Sequence, residues 1–215
     1  GSRGLGDVYK RQVILGAGTL GEFAARAALG LGATVKIFDH SVERLRKLNE
    51  VLGQRVFTSV FHKPVLDKAL ASADVLIGAM RCFDNGENTV VSEAQVRLMK
   101  RGAVIVDMSI DHGGCIETAG PTTHEKPVYT YEGVIHYCVP NVLSRVARTA
   151  SIAYSNVFLP MLQHIARQGG FTNAIRMDAG LREGVYLYNG ILTKNVIADK
   201  LGLIARDINL LIAAL

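Results

Sequence analysis

Val13-Ile14-Leu15-Gly16-Ala17-Gly18-Thr19-Leu20-Gly21 is the stretch from which the rest of the chain can be read. Three apolar residues run straight into glycines spaced G-x-G-x-x-G. Gly16 allows a tight turn off a buried strand, and Gly18 leaves no side chain where a pyrophosphate would approach the backbone. Gly21 lets the following helix pack close to the strand. That helix offers free N–H groups and the positive end of its dipole to phosphate. Among 22 glycines such spacing can arise by chance, so context decides. An Ala-rich helical run, Glu22 to Leu31, follows, and an apolar strand, Val35 to Phe38, then ends in Asp39, 18 residues beyond Gly21. A carboxylate there can accept both ribose hydroxyls of an adenosine and repels a 2′-phosphate. The pattern therefore points to a dinucleotide site that takes NAD in preference to NADP. Arg44, five residues on, could accept a phosphate, and Asp39 as a plain helix-capping carboxylate is the structural alternative.

Working outward, strands alternate with helices. After the helix at 19–31, with Gly30 and Gly32 as stops, come a strand at 34–38 and a helix from Val42 to Leu52 capped by Ser41. Arg55 to Thr58 reads as a short third strand, and Pro64 starts a helix from Val65 to Ser72. Asp74 to Gly78 is a near-continuous apolar fourth strand of the kind a sheet covered on both faces requires. Cys82 to Thr89 is a loop with an Asn85-Gly86 turn. Ser92 with Gln95 forms a capping box for a helix ending before Gly102. Val104 to Val106 is strand five, 121–127 is loop, and Val134 to Tyr137 is strand six. This is the α/β pattern of a doubly wound parallel sheet of Rossmann type, expected in the order 3-2-1-4-5-6 with ligands at the carboxyl ends near the switch between strands one and four.

Beyond Pro140 the pattern changes. Ser144 to Gln168 reads as a long helix interrupted at Pro160, and short helical pieces separated by glycines follow, with no further buried strand. At the other end, residues 1–12 (GSRGLGDVYKRQ) lack periodicity and read as a foreign leader or a junction. The expected division is 1–12 as leader, 13–150 as the NAD-binding domain and 151–215 as a helical tail.

Composition narrows the function classes. A chain of 215 residues with 49% hydrophobic and 20% charged residues is globular, not disordered. No apolar run is long enough to span a membrane. Cys82, Cys115 and Cys138 are too few and too scattered for a disulfide framework or a zinc site, so no metal is expected and a reducing, cytosolic setting is the simplest reading. The net charge of +5 includes +2 from residues 1–12, and no basic block interleaved with aromatics follows. Nucleic-acid binding is not expected.

Three places could carry chemistry. Asp111 lies in Ser109-Ile110-Asp111-His112-Gly113-Gly114-Cys115, past the end of strand five, where this fold keeps its working groups. It could order a hydroxyl or water beside a nicotinamide ring, with turn formation as the competing role. His112 reads as a solvated turn residue more readily than as a general base. Asn141, in Val139-Pro140-Asn141, offers a donor and an acceptor to a carboxamide. His136 and Cys138 alternate on a buried strand, and His136 reads as a core histidine.

The segments VILGAGTLGEFAARAALGLGATVKIFDHS, GAVIVDMSIDHGGCIE, PTTHEKPVY and GVIHYCVPNVLSRVARTAS closely resemble the bacterial alanine dehydrogenases, and the likeness extends over residues 13–215. The resemblance implies a cytoplasmic homohexamer that oxidises L-alanine with NAD to pyruvate and ammonia through an imino acid. It places the phosphate loop on Gly16, Gly18, Thr19, Leu20 and Gly21, and ribose recognition on Asp39 with Arg44 nearby. Met80, Arg81, Met108, Ser109, Ile110, Asp111, Val139, Pro140, Asn141 and Val142 would line the rest of the NAD groove, with Asp111 as the catalytic aspartate.

The chain also departs from that family. Its members carry a substrate lobe before the glycine loop, which supplies a histidine acid/base and the groups that grip the substrate carboxylate. The tail from about Ser151 is expected to pack on that lobe. His112 stands where the family often has glutamine, and Phe61 lies near a position that is often polar. The nicotinamide-binding alpha subunit of proton-translocating transhydrogenases is the alternative within the same fold, and a cofactor-binding module without chemistry, acting as a sensor or interaction domain, is the alternative from another function class.

Overall fold

The computed structural model describes residues 10–80 and 89–213. Arg81, most of the 82–89 loop and most of the expected leader lie outside the described residues. The chain divides into two compact units, the first ending at Val142 and the second beginning at Leu143.

The first unit contains β1 (Arg11–Leu15), α1 (Thr19–Gly30), β2 (Thr34–Phe38), α2 (Val42–Leu52), β3 (Phe57–Ser59), α3 (Lys63–Ser72), β4 (Val75–Gly78), α4 (Glu93–Val96), β5 (Val104–Asp107), β6 (Val128–Tyr131) and β7 (Val134–Tyr137). Its sheet runs β3-β2-β1-β4-β5-β7-β6. All neighbours are parallel except β6 and β7. The expected order holds from β3 through β5, and the sixth expected strand is β7. Leu15 stands level with Phe38 and Gly78, and Gly78 with Asp107, so four strands deliver their carboxyl ends along one edge.

Alternation along the strands divides the core. Ile14, Val35 and Ile37 pack with Ala25 and Ala28 of α1 and with Leu45 and Leu48 of α2. Val13, Leu15, Leu76 and Ile105 pack on the other face with Leu66 and Leu70 of α3 and Val96 of α4. Each such fully buried Leu or Ile contributes about 1.5–3 kcal/mol relative to exposure. Helix starts follow the sequence signals. Ser41 Oγ accepts the Arg44 N–H at 3.2 Å, and Ser92 and Gln95 form the reciprocal capping box.

Three expectations change. The first concerns β6, which adds an antiparallel edge strand between the expected 121–127 loop and the expected sixth strand, where no strand was expected. It is joined to β7 by Glu132 and Gly133, both at positive φ (50° and 81°), the requirement of a two-residue type I′ hairpin turn. The second concerns Pro160, which lies inside a continuous helix, α5 (Ala147–Arg167), and does not interrupt it. A proline removes one backbone donor, and here the flanking turns keep the helix going.

The third concerns the tail, which holds a small hairpin. The second unit continues with α6 (Phe171–Met177), α7 (Ala179–Glu183), β8 (Leu187–Tyr188), β9 (Ile191–Leu192), α8 (Asn195–Leu201) and α9 (Ile208–Ala213). Tyr188 of β8 is buried with Ile175, Val185, Ile208 and Ile212. Asn189 and Gly190 turn the hairpin, both at positive φ. A two-residue strand is too short for alternation to reveal it.

Candidate functional site

At the carboxyl edge the glycine loop folds as its spacing requires. Gly16 has φ +106°, and a Cβ there would meet the Ala79 carbonyl oxygen at 2.5 Å. A Cβ on Gly21 would lie 1.9 Å from the Gly16 carbonyl oxygen, so the start of α1 can approach the turn only without a side chain. Gly18 is different: nothing lies within 4 Å of where its Cβ would stand. Its side-chain position opens into the cleft, and no side chain caps the first turn of α1. A pyrophosphate fits there, against uncommitted N–H groups and the positive end of a 12-residue helix.

Asp39 follows β2 directly and is 4% exposed. Its Oδ2 accepts the Ala17 N–H at 2.7 Å and its Oδ1 the Ser41 N–H at 2.8 Å. The Gly16 N–H meanwhile donates to the Phe38 carbonyl at 2.7 Å. One carboxylate thus ties the glycine loop to the start of α2. Each oxygen keeps a second lone pair that a hydroxyl donor can use.

The opposite wall comes from β4 and β5. The Met108 N–H donates to the Gly78 carbonyl at 2.9 Å, and the Met80 N–H to Ser109 Oγ at 3.0 Å. Asp107, the last residue of β5, is 1% exposed and accepts the N–H groups of Ser109 (2.8 Å) and Cys115 (3.0 Å). Burial pushes its carboxyl above the usual range, and the N–H groups of Cys115, Ser109 and Ile116, together with the Ser109 hydroxyl, pull it part of the way back. After it, Ile110–His112 form a single 3-10 turn. Ile110 points inward, while Asp111 and His112 are exposed. Asp111 Oδ1 accepts the Asn141 N–H at 2.9 Å, joining the end of β5 to the segment after β7.

Between these walls is a cleft of about 680 Å³. Of the residues singled out from the sequence, Gly16, Gly18, Thr19, Leu20, Asp39, Arg44, Met80, Met108 and Ser109 line it. Gly21 lies behind it as a packing residue, and Ile110 and Val139 are buried. Asp111, Pro140, Asn141 and Val142 stand outside this lining, and Arg81 is outside the described residues. Sequence reasoning had not placed Ala79, His40 or His112 in the lining. His40 packs its ring 4.6 Å from that of Phe61. Its one sequence signal is that it directly follows the acidic residue ending a strand.

His136 is a core histidine, as expected, with no exposure. Its Nδ1 lies 3.1 Å from the Val134 carbonyl, which can only accept, so the proton is on Nδ1 and Nε2 accepts the Thr118 hydroxyl at 2.8 Å. Burial pushes the Cys138 thiol up to about 11, which keeps it protonated and unreactive. Among the described residues, no three His, Cys, Asp or Glu side chains gather as a metal site, and no helix is long and apolar enough to cross a membrane.

Known proteins share this architecture. The chain is 38% identical to the alanine dehydrogenase of Halomonas elongata over 193 residues, 90% of this chain and 52% of that protein. It is 40% identical to that of Bacillus subtilis over 190 residues, 88% of this chain and 50% of the relative. A solved L-alanine dehydrogenase superposes with a TM-score of 0.79 at 38% identity, covering 90% of this chain and 53% of its own. A transhydrogenase from Sinorhizobium meliloti follows at 0.64 and 25%, covering 73% and 44%. The chain spans about half the length of the curated relatives it matches. The family model described as alanine dehydrogenase/PNT, C-terminal domain, matches residues 5–195, and this chain belongs to that family.

Proposed function

We propose that the first unit binds NAD across the carboxyl ends of β1, β4 and β5, as the cofactor half of an enzyme that oxidatively deaminates L-alanine to pyruvate and ammonia. The observation that carries this reading is the pairing of an open Gly18 cradle with a buried, anchored Asp39 on one cleft. The N–H groups of the first α1 turn would hold the pyrophosphate, and Asp39 the adenosine ribose. Met80, Met108 and Ser109 would flank the nicotinamide half. When bound, NAD supplies the two-electron acceptor for the amino acid.

Asp111 stands exposed at the mouth of the β5 turn, held by the Asn141 N–H. There it would orient the substrate's polar groups and keep water ordered beside the ring. The higher identity and coverage of the alanine dehydrogenases support this substrate over the transhydrogenase alternative. The same reading makes the whole enzyme a cytoplasmic homohexamer in L-alanine breakdown. It also makes the second unit, with α5, part of the structure that meets the substrate lobe.

The test is calorimetry of the chain with NAD, NADP and ADP-ribose. NAD binding with a clear preference over NADP is the expected result. Absence of binding at millimolar NAD, or equal affinity for NAD and NADP, would overturn the reading.

A further inference from the structure

Asp107 occupies an unusual place in the sheet. It stands level with Gly78 across the β4–β5 pair. A Cβ on Gly78 would meet Asp107 Oδ1 at 2.6 Å, and one on Gly114 would meet Oδ2 at 2.9 Å. The backbone around this carboxylate is thus free of side chains on two sides. Its two oxygens take the N–H groups of Ser109 and Cys115, the first and last residues of the turn that carries Asp111. Ser109 in turn fixes the backbone leaving β4, because its Oγ accepts the Met80 N–H. The Cys115 thiol lies 3.9 Å from Oδ1 and completes the enclosure. One buried side chain therefore closes the whole 109–115 turn and, through Ser109, the neighbouring wall of the cleft.

A buried carboxylate is costly to keep unless its acceptors are used. An apolar residue would fill the space at the end of β5 with less desolvation. An apolar residue could not hold two N–H groups six positions of chain apart in one geometry. The adenosine half of the cleft has its own anchor in Asp39, which shares no hydrogen-bond partner with Asp107.

We propose that Asp107 is a positioning residue for the nicotinamide end of the groove. It fixes Ser109, Met80 and, through the closed turn, Asp111, and leaves the adenosine end untouched. This rests on the NAD reading above.

The test compares NADH with ADP-ribose on the full chain, since ADP-ribose reports the adenosine half alone. Asp107→Asn sets an amide NH2 against one of the two N–H groups and releases one end of the turn. Loss of a hydrogen bond to a charged group, with one buried donor left unpaired, corresponds to about ten-fold in affinity. The expected result is about ten-fold weaker NADH binding and a diminished fluorescence change of the nicotinamide ring, with ADP-ribose affinity within about two-fold of wild type. Gly114→Ala, which keeps the carboxylate but crowds Oδ2 and strains the turn at φ +78°, is expected to reproduce the selective loss. Cys115→Ala, which retains the backbone donor, is expected to leave both ligands unchanged. Equal loss of NADH and ADP-ribose in both Asp107→Asn and Gly114→Ala would assign Asp107 to the fold of the unit and overturn the proposal. Unchanged NADH binding in both would also overturn it. A wild-type chain that binds neither ligand would overturn the cofactor reading and the proposal with it.

Discussion

Asp39 and Ala17, 22 positions apart, are joined by a 2.7 Å hydrogen bond from the Ala17 N–H to the Asp39 carboxylate. The residue expected to select the ribose is therefore also the one that holds the glycine loop in place. Asp39→Ala is expected to do two things at once. It should narrow the preference for NAD over NADP, and it should lower the stability of the ligand-free chain by about 1–3 kcal/mol, because the buried Ala17 N–H loses its acceptor. Calorimetry with both cofactors and a urea melt without them check the two effects separately.

The glycines of the loop should fail in different ways. Gly18→Val fills open space and is expected to abolish NAD binding with an unchanged circular-dichroism spectrum and melting temperature. Gly21→Ala places a methyl group against the Gly16 carbonyl and is expected to destabilise the first unit by at least about 1–3 kcal/mol, the usual range for overpacking. Comparing melts of the two ligand-free variants distinguishes a binding glycine from a packing one.

Asn141 has φ +51° while its N–H donates to Asp111. Asn141→Gly should leave the stability of the ligand-free chain within about 0.5 kcal/mol, whereas Asn141→Val should cost about 1–2 kcal/mol, because a β-branched residue resists the left-handed region. Equal stabilities of the two variants in a chemical melt would contradict this.

His136 makes stability depend on pH. Burial pushes its imidazole below the ordinary value of 6.5, so the unfolded chain takes up a proton that the native chain refuses. The stability this group contributes is present above 6.5 and is lost as pH falls through that value toward the folded one. His136→Gln should flatten the dependence in that window. Asp107 is shifted in the opposite sense, upward from 3.8, so its contribution is present below 3.8 and fades as pH rises through its folded value. Urea melts of wild type and His136→Gln on either side of 6.5 measure the difference.

The chain alone is expected to bind NAD without turning over L-alanine. Asp111 is exposed and stands outside the cleft lining, held by the Asn141 N–H, and general acid–base help is worth about 10²–10⁴-fold. Ile152, Val157, Phe158, Leu159 and Leu162 of α5 are each at least half exposed, so irregular self-association is the expected behaviour at high concentration. Absorbance from reduced cofactor tests turnover, and light scattering of the chromatographed chain tests association. Steady alanine-dependent turnover at the rate of a full-length relative would refute this expectation.

Most of the first unit was legible because its signals are local. Val13 to Gly21 announces its turn by sterics, Ser92 and Gln95 announce a helix start, and apolar runs announce strands covered on both faces. The β6 hairpin lacked its usual turn cue, since its turn uses Glu132 where Asn or Asp would have marked it, and Val128 to Tyr131, although rich in β-branched and aromatic residues, is only four residues long. Asp107 was visible as a residue but not as a function. Its role depends on Ser109 and Cys115 returning to the same carboxylate, which no spacing rule encodes. His40 entered the cleft only through the register of β2 against β1. Pro160 gives a local signal for a helix break, yet it lies inside α5, where one lost donor is borne by a helix of 21 residues.

The place of β1 in the sheet has a kinetic consequence. It lies between β2, which follows it closely in the chain, and β4, whose Val75 pairs with Gln12 across 63 residues. The pairing with β2 closes a short βαβ crossover, while the pairing with β4 must wait for a chain segment nearly three times as long to close. Loop-closure entropy grows with length and is met before the contacts that offset it. The β1–α1–β2 segment is thus expected to form early, with β4, β5 and the β7–β6 edge adding afterwards. On that order the glycine turn takes shape before the wall that faces it. Mutations in α1 would then slow folding, and mutations around Asp107 would chiefly speed unfolding.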